Sequence, residues 1–439
     1  MKKIFIVIFG SLMIFSCSNN ENNREFHSKI AKWPECKNSA VSITYDGGTI
    51  NQFNIALPIM EKLNLPATFF IVTGSIQGSK YQGKFIGKSI DQIIKESEKR
   101  ITDKSNFYER ASALQFAPYD STREIHILTG TLYERNKVNE AYGLVDKTFE
   151  KIRNGDLDTL VKRKIYQEGV DISWEEIENI AKNGHEFASH TITHPQLSIM
   201  NNDNIRYELE MSKEELNSHL GRNYTFTVEL PYAIETPRVL DIAFEFYESA
   251  RNKLVESYIK EINRWDSDDP SSCSEEYVFW EKGPKTRTEL DDIKSWIDTC
   301  LNNDHIWLVL VIHGIEGIGW EPVDDQTIND YFQYIHSKKD KIWVATYRDV
   351  LKYIRERMNT RIKSTINHHS VEIELRHSLD QNIYNLPLTL KTNIPSRYGE
   401  IEIHQNGNPL DFIRASDSTG SYISYQAYPN NKPVIISFK

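Results

Sequence analysis

The segment from Asn38 to Thr73 restricts the possible fold more than any other part of this chain of 439 residues. Asn38 to Tyr45 contains the β-branched run Ala-Val-Ser-Ile-Thr-Tyr and leads directly into Asp46, Gly47 and Gly48. Ile50 to Leu63 has helical periodicity, and Pro66 to Thr73 is a second, nearly unbroken apolar run. Strand, helix and strand within about thirty-five residues make a βαβ unit. Such a unit implies parallel strands, whose connection must cross over rather than turn back. Parallel strands are buried on both faces, so polar chemistry collects at their ends. The first strand therefore delivers Asp46 to a C-terminal edge.

Further segments repeat this logic. Trp174 to Asn183 is an amphipathic helix with Ile177 and Ile180 on one face, and Gly184 stands where helices stop in a left-handed cap. A short buried strand follows, and then His190 and His194. Four-residue spacing puts both imidazoles on one face of a turn, close enough to share a metal ion, while Pro195 stiffens the exit. The pair His185-Glu186 does not make His-Glu-x-x-His with His190, which excludes a zincin reading. Two histidines four apart, taken alone, fit a polar surface loop better, so the other strand ends decide. Asn204 to Leu220 is a helix, Tyr224 to Tyr232 a strand ending in Glu229-Leu230-Pro231-Tyr232, and Phe246 to Asn252 another strand. Leu290 to Leu301 is a helix, and His305 to His313 is a long apolar strand that ends on a histidine. Tyr331 to Ser337, Ile342 to Thr346 and Tyr347 to Met358 complete the series as helix, strand and helix. Asp46, His190, Tyr232 and His313 thus all fall at C-terminal strand ends, the face on which α/β barrels build their sites. The expected fold is α/β, a distorted (β/α) barrel of about seven strands over 38–358.

Two regions interrupt this pattern. Residues 78–169 carry helical spacing among Lys and Glu (Ile90, Ile93, Ile94, Ile101, then Leu144, Phe149, Ile152) and form a helical insertion, in which Lys95 to Lys104 is a solvated face. Beyond Thr365 the texture changes to alternating runs broken by Asn-Gly and Pro, which indicates a small β-sandwich-like module over 365–439. At the other end, Lys2 and Lys3 precede an apolar run from Ile4 to Phe15, then Ser16 and Cys17. This is a signal peptide over 1–16, too short to span a membrane. A cysteine closing such a run resembles a bacterial lipobox, so Cys17 is expected to be the lipidated first residue of the mature chain, with 17–37 as a linker; ordinary cleavage beside an incidental cysteine is the alternative. The expected location is an exported bacterial lipoprotein, in the periplasm or at the outer membrane or cell surface. Export leaves Cys36, Cys273 and Cys300 in an oxidising compartment, with their pairing open. A formal charge of −10 argues against nucleic acid as a partner.

The residues from His190 to Pro195 resemble the second motif of the NodB-type polysaccharide deacetylases, carbohydrate esterase family 4, which reads His-Ser/Thr-x-x-His-Pro after a Gly-His-Glu stretch. Pro66 to Phe70, the Pro-Tyr of Glu229 to Tyr232, Ser249 to Asn252, Trp280 and His313 match further family features, so the likeness covers roughly 38–75 and 170–357. The resemblance implies a divalent ion of the zinc type on His190 and His194, with Asp46 as general base. It also implies the Tyr232 backbone N–H, fixed by Pro231, at the oxyanion, His313 as acid, and Trp280 against substrate. The substrate it implies is an acetylated carbohydrate polymer or oligosaccharide. Two positions depart from the family. Gly47 replaces an aspartate that is the third metal ligand, and Glu229 replaces an arginine that orients the catalytic aspartate. Asp46 or Glu229 is then expected to fill the third ligand position. The opposing expectation is a catalytically silent lipoprotein of this fold that binds glycan or a protein partner. No Gly-x-Ser-x-Gly elbow occurs, which sets a serine hydrolase aside.

Overall fold

The computed structural model describes residues 26–160, 172–254, 261–263, 270, 276–418 and 420–438. Cys17, the expected signal segment, Cys273 and residues 161–169 of the insertion lie outside them. The chain divides into two compact units, Lys37–Arg355 and a second that joins the residues up to Cys36 to Glu356–Lys439. Strand β1 (Ser28–Ile30) belongs to the second.

The larger unit is built on β2 (Ser39–Gly47), all nine of whose residues are buried. The other strands are β3 (Ala67–Ile71), β4 (Glu186–Ser189), β5 (Thr227–Val228), β6 (Ser249–Ala250), β7 (Lys253–Leu254), β8 (Glu261–Asn263), β9 (Val278–Lys282), β10 (Ile306–Ile312) and β11 (Ile342–Val344). They pair in the order β7-β6-β5-β4-β3-β2-β10-β9-β8. From β6 to β9 this is a parallel run of seven strands, as expected for an incomplete barrel. β11 pairs with the start of β2, below the stretch where β3 pairs with its end.

The period of two along each strand sorts the side chains. Val41, Ile43 and Tyr45 of β2 join Leu308, Leu310 and Ile312 of β10 in the outer core, against the helices. Their alternates Ser42, Thr44 and Asp46 face inward, where Ser42 Oγ accepts from Trp307 Nε1 at 3.1 Å and Thr44 Oγ1 donates to the Leu310 carbonyl at 2.8 Å. Helix α1 (Leu57–Leu63) follows a single π-type turn, Gln52–Ala56, and covers β2 from outside.

The insertion is helical as its spacing implies: α2 (Ile90–Lys99), α3 (Phe107–Phe116), α4 (Thr122–Glu134) and α5 (Val138–Asn154). Its own core gathers Ile93, Phe107, Leu114, Val145 and Phe149, and α2 buries only Ile93, which leaves its charged run in solvent. The remaining helices are α6 (Trp174–Lys182), α7 (Asn202–Leu220), α8 (Pro237–Ala243), α9 (Leu290–Leu301), α10 (Asp325–Ser337) and α11 (Tyr347–Asn359). α6 opens on a reciprocal cap, in which Ser173 N donates to Glu176 Oε2 at 2.8 Å and Glu176 N donates to Ser173 Oγ at 3.3 Å. It is followed by Gly184 at φ +95, the left-handed stop its sequence implies.

The second unit holds two antiparallel sheets. One has the order β1-β14-β18-β17 and the other β12-β13-β19-β15-β16. The strands are β12 (Arg361–Asn367), β13 (Ser370–Arg376), β14 (Leu388–Asn393), β15 (Ile401–Gln405), β16 (Asn408–Pro409), β17 (Phe412–Asp417), β18 (Gly420–Ala427) and β19 (Val434–Phe438). Asn406 and Gly407, both at positive φ, turn β15 into β16 as an Asn-Gly hairpin. The expected linker 17–37 requires correction. Ser28–Ile30 pairs with Leu390–Thr392, and Phe26 stacks on Phe438 at 5.2 Å, so the described part of that segment is a strand of the β-module. The Ser28 and Thr392 hydroxyls hydrogen-bond at 2.9 Å and hold the register.

Candidate active site at the strand ends

Past each strand end, the ladder continues by one residue. His190 N donates to the Ile71 carbonyl, Glu229 N to Ser189 and Arg251 N to Val228, each at 2.9 Å. These bonds fix three side chains on the C-terminal edge beside Asp46. A cavity of about 570 Å³ opens there, and Asp46, His190, His194, Glu229, Tyr232 and His313 all line it.

The histidine loop is held against its own strain. Thr191 and His194 adopt φ +67 and +55, which costs of order 1–3 kcal/mol at non-glycine residues. Glu208 of α7 offsets this. Its carboxylate, fully buried, accepts from Ile192 N at 2.9 Å, Thr193 N at 2.8 Å and Thr193 Oγ1 at 2.6 Å. Thr191 Oγ1 accepts from His194 N at 3.0 Å. The two rings meet edge to face, centroids 4.7 Å apart, and Tyr232 stands 4.6 Å from His194 in the same manner. Burial pushes the His190 imidazole down to about 4 and His194 well below its ordinary value, so both are neutral at pH 7. His190 Nδ1 lies 2.8 Å from the Glu229 carbonyl, an arrangement that puts its proton on Nδ1.

Arg251 organises the floor. Its guanidinium forks onto Asp46, Nη1 to Oδ1 at 2.5 Å and Nη2 to Oδ2 at 3.0 Å. It also meets Glu229 Oε1 at 3.0 Å and Glu281 Oε2 at 3.7 Å, over the Phe70 ring. Burial, the largest single influence, raises the Asp46 pKa, but the charges of Arg251, His313 and His190 and the hydrogen bond from Arg251 together outweigh it and hold the carboxyl well below the usual range. His313 Nε2 approaches Asp46 Oδ2 at 3.4 Å, and burial lowers its pKa against the pull of that carboxylate.

The residues do not fit a resident metal ion. Gly47, at the third ligand position implied by resemblance, has φ +86, a conformation unfavourable for a residue with a Cβ. Both oxygens of Asp46 are engaged by Arg251, and Glu229 Oε1 faces the same guanidinium. Among the described residues, no group of three or more His, Cys, Asp and Glu side chains is arranged to hold a metal. Two imidazoles are one ligand short of a catalytic zinc site.

Two residues expected at the site are not in its wall. Pro231 is buried behind the turn that carries Tyr232 at φ +59. Trp280 requires correction, because it lies in the outer core with Val278 and is 5% exposed. The alternation of β9 sends its neighbour Glu281 inward instead. The aromatic surface comes from Tyr232, 42% exposed, and from Trp320, 53% exposed and edge to face with His313 at 4.8 Å. Glu281, Trp320, and Arg123 and Glu124 of α4 escaped the reading of the sequence, and Arg251 entered it only within the Ser249 to Asn252 match, with no role at the site. Arg251 carried one signal, since a floor with carboxylates at 46 and 229 needs a cation. Cys36 and Cys300 are free thiols, the first exposed and the second buried.

Residues 146–246 match the family model described as polysaccharide deacetylase. A gellan lyase from a Bacillus species is 24% identical over 274 residues, which take in 58% of this chain and 11% of that protein, so the chain spans about a tenth of that relative's length. A solved structure of a putative polysaccharide deacetylase from Mycobacterium smegmatis is 13% identical, with 77% of this chain and 98% of that one covered at a TM-score of 0.37. A family 4 carbohydrate esterase from Streptomyces lividans, in complex with acetate, is 11% identical over 70% of this chain and 92% of its own, at a TM-score of 0.32.

Proposed function

We propose that this chain, whose residues 146–246 match the polysaccharide deacetylase family model, removes acetyl groups from a carbohydrate at the cavity described above. The observation that carries this reading is the convergence of Asp46, His190, His194 and His313 on one cavity with two exposed aromatic rings. Sugar rings present apolar faces that stack on such side chains. In this reaction water attacks the acetyl carbonyl carbon, the bond to the sugar oxygen or nitrogen breaks, and acetate leaves. By resemblance Asp46 would take the water proton, but the fork from Arg251 makes it a weak base. His313 is neutral at pH 7 and within reach of Asp46, so it takes the proton and returns it to the leaving atom, while Asp46 orients it. The Tyr232 N–H faces the developing oxyanion. O-acetyl esters are the easier substrates, because an alcohol leaves more readily than an amine.

The test is acetate release from a panel of O- and N-acetylated glycans, together with the metal content of the purified protein. His313→Ala should lower release by about 10²–10⁴-fold. The engagement of Asp46 and Glu229 by Arg251 favours a second reading, a glycan-binding module without turnover. Retained glycan binding with no acetate release from any substrate would select it. We further propose, from the amino-terminal apolar run that closes on Cys17, that the chain is exported and anchored by a lipid there, so Cys17→Ala should lose membrane association.

A further inference from the structure

A second cavity, of about 310 Å³, adjoins the first. Arg123 of α4 lines both, and Thr193 on its wall precedes His194 of the catalytic cavity. The rest of the wall comes from the approach to α2, with Lys84 and Phe85, and from the end of α3, with Gln115 and Phe116.

Its chemistry is unlike that of its neighbour. The catalytic cavity is lined by the carboxylates of Asp46, Glu124, Glu229 and Glu281. The charged residues lining the second are both cations, Lys84 and Arg123. In a chain of net charge −10 this is a local reversal, favourable to an anion. Arg123 Nη2 lies 3.5 Å from the Thr193 carbonyl, and Lys84 Nζ stands 4.7 Å from the centre of the Tyr207 ring. Gln115 supplies an independent observation. It is 2% exposed, its Nε2 donates to Thr193 Oγ1 at 3.3 Å, and its Oε1 is buried with no hydrogen-bond partner. A buried carbonyl oxygen left in that state is costly, and a ligand hydroxyl would satisfy it. At Gly83 a Cβ would come within 2.1 Å of Thr193 Cγ2 and 3.2 Å of the Phe116 ring, so this wall approaches the histidine loop through bare backbone.

We propose that the second cavity is the subsite for the neighbouring unit of the polymer and takes an anionic sugar, a uronate. Its carboxylate pairs with Arg123 and Lys84, one hydroxyl donates to Gln115 Oε1, and the ring lies against Phe85 and Phe116. Arg123, shared by both cavities, sets which acetylated unit is presented, the one joined to the uronate. The proposal rests on the carbohydrate reading of the first cavity.

The experiment measures binding calorimetrically, at low and at physiological salt. The probes are a tetrasaccharide of alternating N-acetylglucosamine and glucuronic acid, and the same tetrasaccharide with its carboxyls reduced to alcohols. The parent protein should prefer the acid form by about tenfold, and added salt should shrink the preference. Arg123→Met should bring the ratio to about one. Lys84 is exposed, so Lys84→Met should lower the ratio with no change in Tm, which separates charge from folding. Equal binding of both forms by the parent overturns the anionic subsite and leaves the carbohydrate reading standing. Binding of neither form overturns the uronate subsite, and acetate release from the glycan panel then decides the carbohydrate reading separately.

Discussion

Removing the guanidinium of Arg251 would leave the buried carboxylates of Asp46, Glu229 and Glu281 without their common cation. Losing one partner of a buried ion cluster costs about 3–5 kcal/mol, so Arg251→Met should lower the unfolding free energy by that amount in chemical denaturation. Arg251→Lys should recover only part of it, because an ammonium cannot fork onto Asp46. Unchanged stability in Arg251→Met would show that the carboxylates do not share this charge. Glu208 gives a prediction in pH. Burial pushes its carboxyl up from 4.5 to about 7, against three hydrogen bonds that favour the ion. For a carboxyl raised in the folded state, the stabilising contribution is present below the ordinary value and lost as pH rises through about 7. Relative to Glu208→Gln, the parent should lose up to about 3 kcal/mol between acid and mildly alkaline pH. Parallel stability curves would refute the assignment. At this scale Asp46, His190, His194 and His313 were legible because strand ends fix their position. Trp280 was misread because alternation within β9 decides its face, and the register of that strand comes from pairing with β10.

Helix α4 is tied to the turn after His194 through His126, which is fully buried. Gln196 N donates to its Nε2 at 3.1 Å, so Nδ1 carries the proton given to the Ala111 carbonyl at 2.8 Å. Gln196 Nε2 in turn donates to Glu134 at 2.8 Å, so both ends of α4 are tied to the turn after His194. His126→Ala should cost about 2–4 kcal/mol from the cavity and the lost bonds. Amide exchange should quicken across 194–199 and leave β2 and β10 protected. Equal loss of protection in all three would mean that α4 supports the whole unit rather than the loop. Helical spacing in residues 90–152 was readable in the sequence. That this insertion would form a wall of the cavity was not, since contacts such as Gln115 to Thr193 join residues 78 apart with no local signature.

At the scale of the molecule, the division falls between Arg355 and Glu356, ahead of the expected break near Thr365, and draws in the residues up to Cys36. A three-residue strand such as Ser28–Ile30 has too little pattern to be read alone, and its partner is remote. The fragment Lys37–Arg355 should therefore fold with a cooperative thermal transition. A fragment of residues 26–358 should be less soluble, because Phe26, 6% exposed in the whole chain, loses Phe438 and β14. An insoluble Lys37–Arg355 fragment would show that the barrel cannot stand without the module. The pairing of Ser28 with Thr392, 364 residues apart, also bears on how the protein is made. Translation at roughly 5–20 residues per second separates the emergence of these partners by roughly 20–70 s. The barrel has time to fold within that interval, while β1 waits as a bare edge. Joining β1 to β14 is thus a late step in the folding of this unit, and it requires Ser28–Ile30 to remain unclaimed until β14 has been made.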